Sequence, residues 1–101
     1  MAKILGNPEV SLEPNEKKGH VLVKGSVSIE FEETDKNHKW EFKIEIVDKK
    51  NNDAVVSSVV KIITPKKVNV TEKFSEKIPK AKFGTLSEMD VKFKFFITHL
   101  E

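Results

Sequence analysis

Cysteine, tyrosine and arginine are all absent from this chain, and there is a single tryptophan. Without cysteine there is neither a disulfide framework nor a thiolate metal site. Without arginine the planar fork that grips guanine and phosphate is missing, so nucleic acid is not an expected partner. Glycine is scarce, with four scattered residues, which excludes a phosphate-cradling glycine loop. The serines lack the flanking glycines of a hydrolase elbow. No segment approaches the roughly 18 apolar residues of a membrane-spanning helix, so no membrane insertion is expected. The first residues, Met1 to Gly6, lack the apolar stretch of a signal peptide. That leaves a cytoplasmic chain, or a secreted or cell-surface one whose leader has been removed.

What is present is charge and alternation. Charged residues make up 34% of the chain, above the usual quarter. The balance is nonetheless close to neutral, at 18 basic against 16 acidic residues. A chain of 101 residues fits one domain, residues 1–101, long enough to bury a core without staples. From His20 to Glu33 the apolar residues occupy odd positions (Val21, Val23, Val27, Ile29, Phe31), with polar residues at most of the even ones. Gly25, the odd position without a side chain, suggests a bulge or bend there. From Trp40 the apolar residues fall on even positions: Phe42, Ile44 and Ile46. Period two with polar partners describes strands with one wet face. Thr34-Asp35-Lys36-Asn37 between the two runs has turn chemistry. The expectation is an antiparallel hairpin over Val21–Ile46, with Phe31 opposite either Trp40 or Phe42.

The remaining segments read as further strands. Val10 and Leu12 mark a first one, and residues 14–19 turn the chain. Residues 48–53 form a polar loop. Ala54–Ile63 is β-branched and irregular, fitting a strand buried on both faces or one crossing between sheets. Val68, Val70 and Phe74 mark a short strand, and Ile78 to Gly84 a connection. Met89, Val91, Phe93, Phe95 and Ile97 form a clean final strand. The nearest helical candidate is one turn around Thr71–Lys77. The expected fold is all-β: an antiparallel two-sheet sandwich of about seven strands, with a small β-barrel as the alternative.

In strand number, spacing and length the pattern resembles immunoglobulin-like and fibronectin-type sandwiches. Trp40, on the third strand of that pattern, is similar in place to the core tryptophan of immunoglobulin domains. Met89 stands near the position of their tyrosine corner, and their cysteine pair is missing here. The resemblance implies an architecture and no particular activity.

Candidate chemistry is sparse. His20, His38 and His99 lack the close spacings of metal-binding pairs, so they are expected on the surface without a ligand role. Glu30, Glu32, Glu33, Asp35, Glu41 and Glu45 fall on the wet side of the alternating runs, where nothing desolvates a carboxyl for acid–base work. Asp48, Asn51, Asn52 and Asp53 lack the order of a calcium loop. Trp40 belongs to the buried row. Leu22 and Phe96 break the alternation by pointing outward, and together would make an apolar docking patch. No cofactor or metal is expected. The expected function is that of a non-catalytic binding or spacer module, part of a bacterial surface or assembly protein. A carbohydrate-binding module is the alternative and a metal-dependent enzyme domain the third reading. The expected partner is a protein, bound through an edge strand or the outer face of the last strand. Lys92 and Lys94 on that strand oppose casual pairing, which implies a monomer in dilute solution.

Overall fold

A computed structural model describes residues 2–100. Six strands run in the order β1 (Lys3–Asn15), β2 (His20–Glu30), β3 (Trp40–Asp48), β4 (Ala54–Ile63), β5 (Asn69–Pro79) and β6 (Val91–His99). They form two three-stranded antiparallel sheets, ordered β1-β2-β5 and β4-β3-β6. The sheets pack face to face as a sandwich and do not close into a barrel. Among the described residues the count of strands is therefore six rather than about seven, because Ile78 and Pro79 complete β5 and residues 80–90 add no strand.

Two connections are tight hairpins. Gly19, at φ +67°, closes the turn between β1 and β2. Asn52 and Asp53, at φ 51° and 58°, close the one between β3 and β4; short polar side chains tolerate this left-handed backbone best after glycine. The expected hairpin over Val21–Ile46 is not formed. β2 has β1 and β5 as its neighbours, β3 has β4 and β6, and residues 31–39 carry the chain from one sheet to the other. Two rows that face one core must match in parity whether they lie side by side or in opposed sheets. Val27, Ile29, Phe31, Trp40, Phe42 and Ile44 are accordingly all buried. Phe31 and Trp40 do meet, edge to face with ring centres 5.4 Å apart, but as a contact at the crossover and not as ladder partners.

Other local readings shift for identifiable reasons. β2 passes Gly25 without a break, and the irregularity lies in β1, between Leu5 and Glu9. Gly25 is required because a Cβ there would lie 1.8 Å from the Glu9 carbonyl oxygen. Thr71–Lys77 lies wholly inside β5, which pairs with β2 from His20↔Pro79 to Glu30↔Asn69. Met89 sits in a 3₁₀ turn, Glu88–Asp90, 84% exposed, and takes no part in the final strand or in any corner against the core. That turn is closed reciprocally: Asp90 accepts from the Ser87 backbone N–H and hydroxyl.

One flank of the sandwich is tied. Lys61 stands opposite the inward-facing Phe42, so its side chain starts towards the core. It escapes along the edge, donating to the Lys73 carbonyl at 2.7 Å and pairing with Glu72 at 3.0 Å. β4 and β5, edges of different sheets, are thereby joined.

Candidate functional site

The outward row of β3 organises one sheet face. Glu41 lies between Ile62 and Thr98, Lys43 between Val60 and Phe96, Glu45 between Ser58 and Lys94, and Val47 between Val55 and Lys92. The result is a face on which Val55, Val60, Ile62 and Phe96 are 56%, 49%, 51% and 39% exposed. The Lys43 ammonium lies 5.5 Å from the Phe96 ring centre and 3.6 Å from the Glu45 carboxylate. It is thus held between the Glu45 carboxylate and the Phe96 ring, over which it stands, and leaves Val55, Val60 and Ile62 to the rest of the face.

Val47 has the outward parity yet is fully buried. The cause lies above it. Asp53, at the start of β4, binds the Lys92 ammonium at 2.9 Å and that of Lys94 at 3.5 Å. These two lysines belong to β6, on the other side of β3, so the pairs run across β3 at Val47 and cover it with lysine stems. The Lys92 hydrogen bond holds the Asp53 carboxyl below its ordinary range.

The four sheet edges differ. β1 carries Pro8, Pro14 and its irregularity after Leu5. β4 has the inward-pointing Lys61 and a shift of register opposite Ile46 and Val47. β5 ends at Pro79 and places Glu72 and Glu76 opposite the inward Val27 and Val23. Proline, bulges and inward charges all discourage strand addition. β6 has none of these. It pairs with β3 in unbroken register from Trp40↔His99 to Asp48↔Val91. Its inward row of Phe93, Phe95 and Ile97 packs on the core while remaining partly exposed. Its edge lysines are those drawn back to Asp53.

No family model matches this sequence, and neither a curated protein nor a solved structure is significantly similar to it. Phe96 is where the sequence puts it, on an outer face. Leu22 is also outward, but on the other sheet, half-buried between Glu13 and Lys77. The two do not form one patch. Phe96 instead shares its face with Val55, Val60 and Ile62, which the sequence reading left inside an irregular β4. The outward row of β4 is itself apolar and its inward row carries Ser57 and Lys61, so the segment shows no alternation in the sequence.

The histidines fall in two places. His20 opens β2, away from the others. His38 and His99 come together, Nδ1 to Nε2 at 3.3 Å, and the His99 ring lies 4.8 Å from that of Trp40. Among the described residues no group of three or more histidines, aspartates or glutamates has metal-binding geometry. Asp35 is used structurally, accepting from the Glu32 N–H at 2.8 Å, which is the main reason its carboxyl titrates low. Asp48 likewise accepts from the Lys50 N–H at 2.9 Å and shapes its own loop. Trp40 is buried and donates to the Asp35 carbonyl at 3.3 Å. A hollow of about 240 Å³ between β1 and the 80–90 connection is lined by Leu12, Pro14, Phe83 and Leu86, with Glu16 and Glu88 the acids at its wall. Among the described residues no helix is long and apolar enough to cross a membrane.

Proposed function

We propose that this chain is a non-catalytic protein-binding module, monomeric in dilute solution, whose docking surface is the β4-β3-β6 sheet. The observation that carries the reading is the gathering of Val55, Val60, Ile62 and Phe96 on one outer face. Scattered exposed apolar residues need no explanation, whereas several on one sheet face mark a surface that something covers. The polar groups of that face, Glu41, Lys43 and Glu45, alternate in sign. A partner with mixed charge fits them better than a polyanion does. No feature of the face calls for carbohydrate, since the one tryptophan is in the core.

The test is a double variant, Ile62→Ser with Phe96→Ser. Both side chains are exposed, so the melting temperature should stay within a few degrees of the parent. Association partners, compared by quantitative mass spectrometry on parent and variant baits, should be lost from the variant. Identical partner sets at equal stability would remove the proposal.

A further inference from the structure

β6 also leaves a bare edge, on the opposite side of its sheet from Val55, Val60 and Ile62, and that edge is a second contact surface beside the face proposed above. A free strand edge offers unpaired backbone groups to any extended chain, and what decides the occupant is the side chains that would meet across the new ladder. Two facts bear on that choice. The inward row of β6 is apolar throughout its centre, with Phe93, Phe95 and Ile97 only partly covered. The outward row holds two lysines, which would repel a like strand if they stood at the edge, but both ammoniums lean the other way, over β3, to Asp53.

We propose that β6 pairs edge to edge with β6 of a second copy of this chain, antiparallel and centred on Phe95. The two β4-β3-β6 sheets then become one continuous six-stranded sheet. Phe95 is the midpoint of Val91–His99, so this register uses every position of the strand. It sets Phe95 against Phe95, Phe93 against Ile97, Lys94 against Phe96 and Lys92 against Thr98. Apolar meets apolar on the inner side. On the outer side each lysine meets an aromatic ring or a hydroxyl and never another lysine. Slipping by one residue would put inward side chains opposite outward ones and is forbidden by the pleat. Centring on Lys94 would oppose lysine to lysine, and centring on Phe93 would set Lys92 against Lys94. The strand is self-complementary in its central register, as a two-fold interface requires. The contact is one strand wide, which places it with small, transient interfaces. The dimer should therefore dissociate at about 0.1–1 mM, in keeping with a monomer in dilute solution.

Because the chain has no cysteine, introduced thiols report the register cleanly. Lys92→Cys and Thr98→Cys variants should each cross-link poorly alone on mild oxidation. Mixed, they should give a disulfide-linked dimer in at least about five-fold higher yield, since opposed strand positions come within disulfide reach. In a dilution series the backbone amide resonances of β6 should move together. Asp53→Asn, which releases both lysines to the edge, should weaken the association several-fold while the fold persists. Equal cross-linking by Lys92→Cys alone would overturn the register. Shifts confined to Val55, Val60 and Ile62 would overturn edge pairing and leave the docking surface standing. The absence of any concentration dependence up to millimolar protein would overturn self-pairing, and the Ile62→Ser, Phe96→Ser comparison would then decide the docking reading by itself. Shifts confined to the β1-β2-β5 sheet would overturn both.

Discussion

At the scale of single residues, the core is built from side chains that share the inward face of alternating strands: Val27, Ile29, Phe31, Trp40, Phe42 and Ile44 are all buried. Phe42 sits at the centre, with Phe74 and Phe95 ring centres at 6.1 and 6.4 Å. Phe42→Ala should cost about 3–5 kcal/mol in chemical denaturation, a large part of the 5–15 kcal/mol typical of a domain of about this size. Gly25 makes a second residue-scale prediction. The bulge or bend expected there is absent from β2, and the glycine is needed for a reason that belongs to another strand: the Glu9 carbonyl occupies the space of a side chain. Gly25→Ala must displace β1 and should cost about 1–3 kcal/mol, as overpacking does. Gly84→Ala is the control. It also has a positive φ, of 58°, but meets nothing within 4 Å, so only the conformational cost of about 1 kcal/mol remains.

At the scale of elements, strands with one wet face are legible in the sequence: β3 contains the alternating run from Trp40 and extends it to Asp48, and β6 overlaps the expected final strand but spans Val91–His99. β4 has the bounds the sequence indicates, Ala54–Ile63, but its faces are not legible there, because Val55, Val60 and Ile62 make the outward row apolar while Ser57 and Lys61 put polar groups in the inward one. The 3₁₀ turn before β6 was missed because Met89 continues the apolar alternation of that strand although its side chain is in solvent. That turn has a consequence for acid stability. Hydrogen bonds from the Ser87 backbone N–H and then from the Lys50 ammonium hold the Asp90 carboxyl down, from 3.8 to about 2. Its folded-state value lies below the unfolded one, so its contribution is complete above about pH 4 and is lost as pH falls through about 2. Melting temperature should drop over that window. Asp90→Asn should be less stable at neutral pH and should show a shallower acid decline. An equal decline in parent and variant would show that other carboxyls dominate.

At the scale of the whole molecule, the sequence led to the right class and the wrong wiring. Parity makes two rows face a common core, and a hairpin and a pair of opposed sheets satisfy it equally. Only the competition for neighbours decides, and that is a property of all six strands together. β2 is taken by β1 and β5, β3 by β4 and β6. The pairings β2 with β5 and β3 with β6 join residues far apart in the chain, from His20↔Pro79 to Trp40↔His99. Such topologies close long loops before contacts reward them, so stopped-flow refolding should be in the millisecond-to-second range. Submillisecond folding would contradict it. The same wiring makes the molecule its own optical probe. Trp40 is the only tryptophan, no tyrosine accompanies it, and it sits where the chain passes from one sheet to the other, against Phe31 on one side and His99 on the other. Its emission should be blue-shifted in the native state. It should redden when the sheets part, and stay blue-shifted when β6 acquires a neighbour at Phe95, because Trp40 remains buried although His99 joins the new ladder. Fluorescence thus separates the opening of the sandwich from the extension of its sheet without a label.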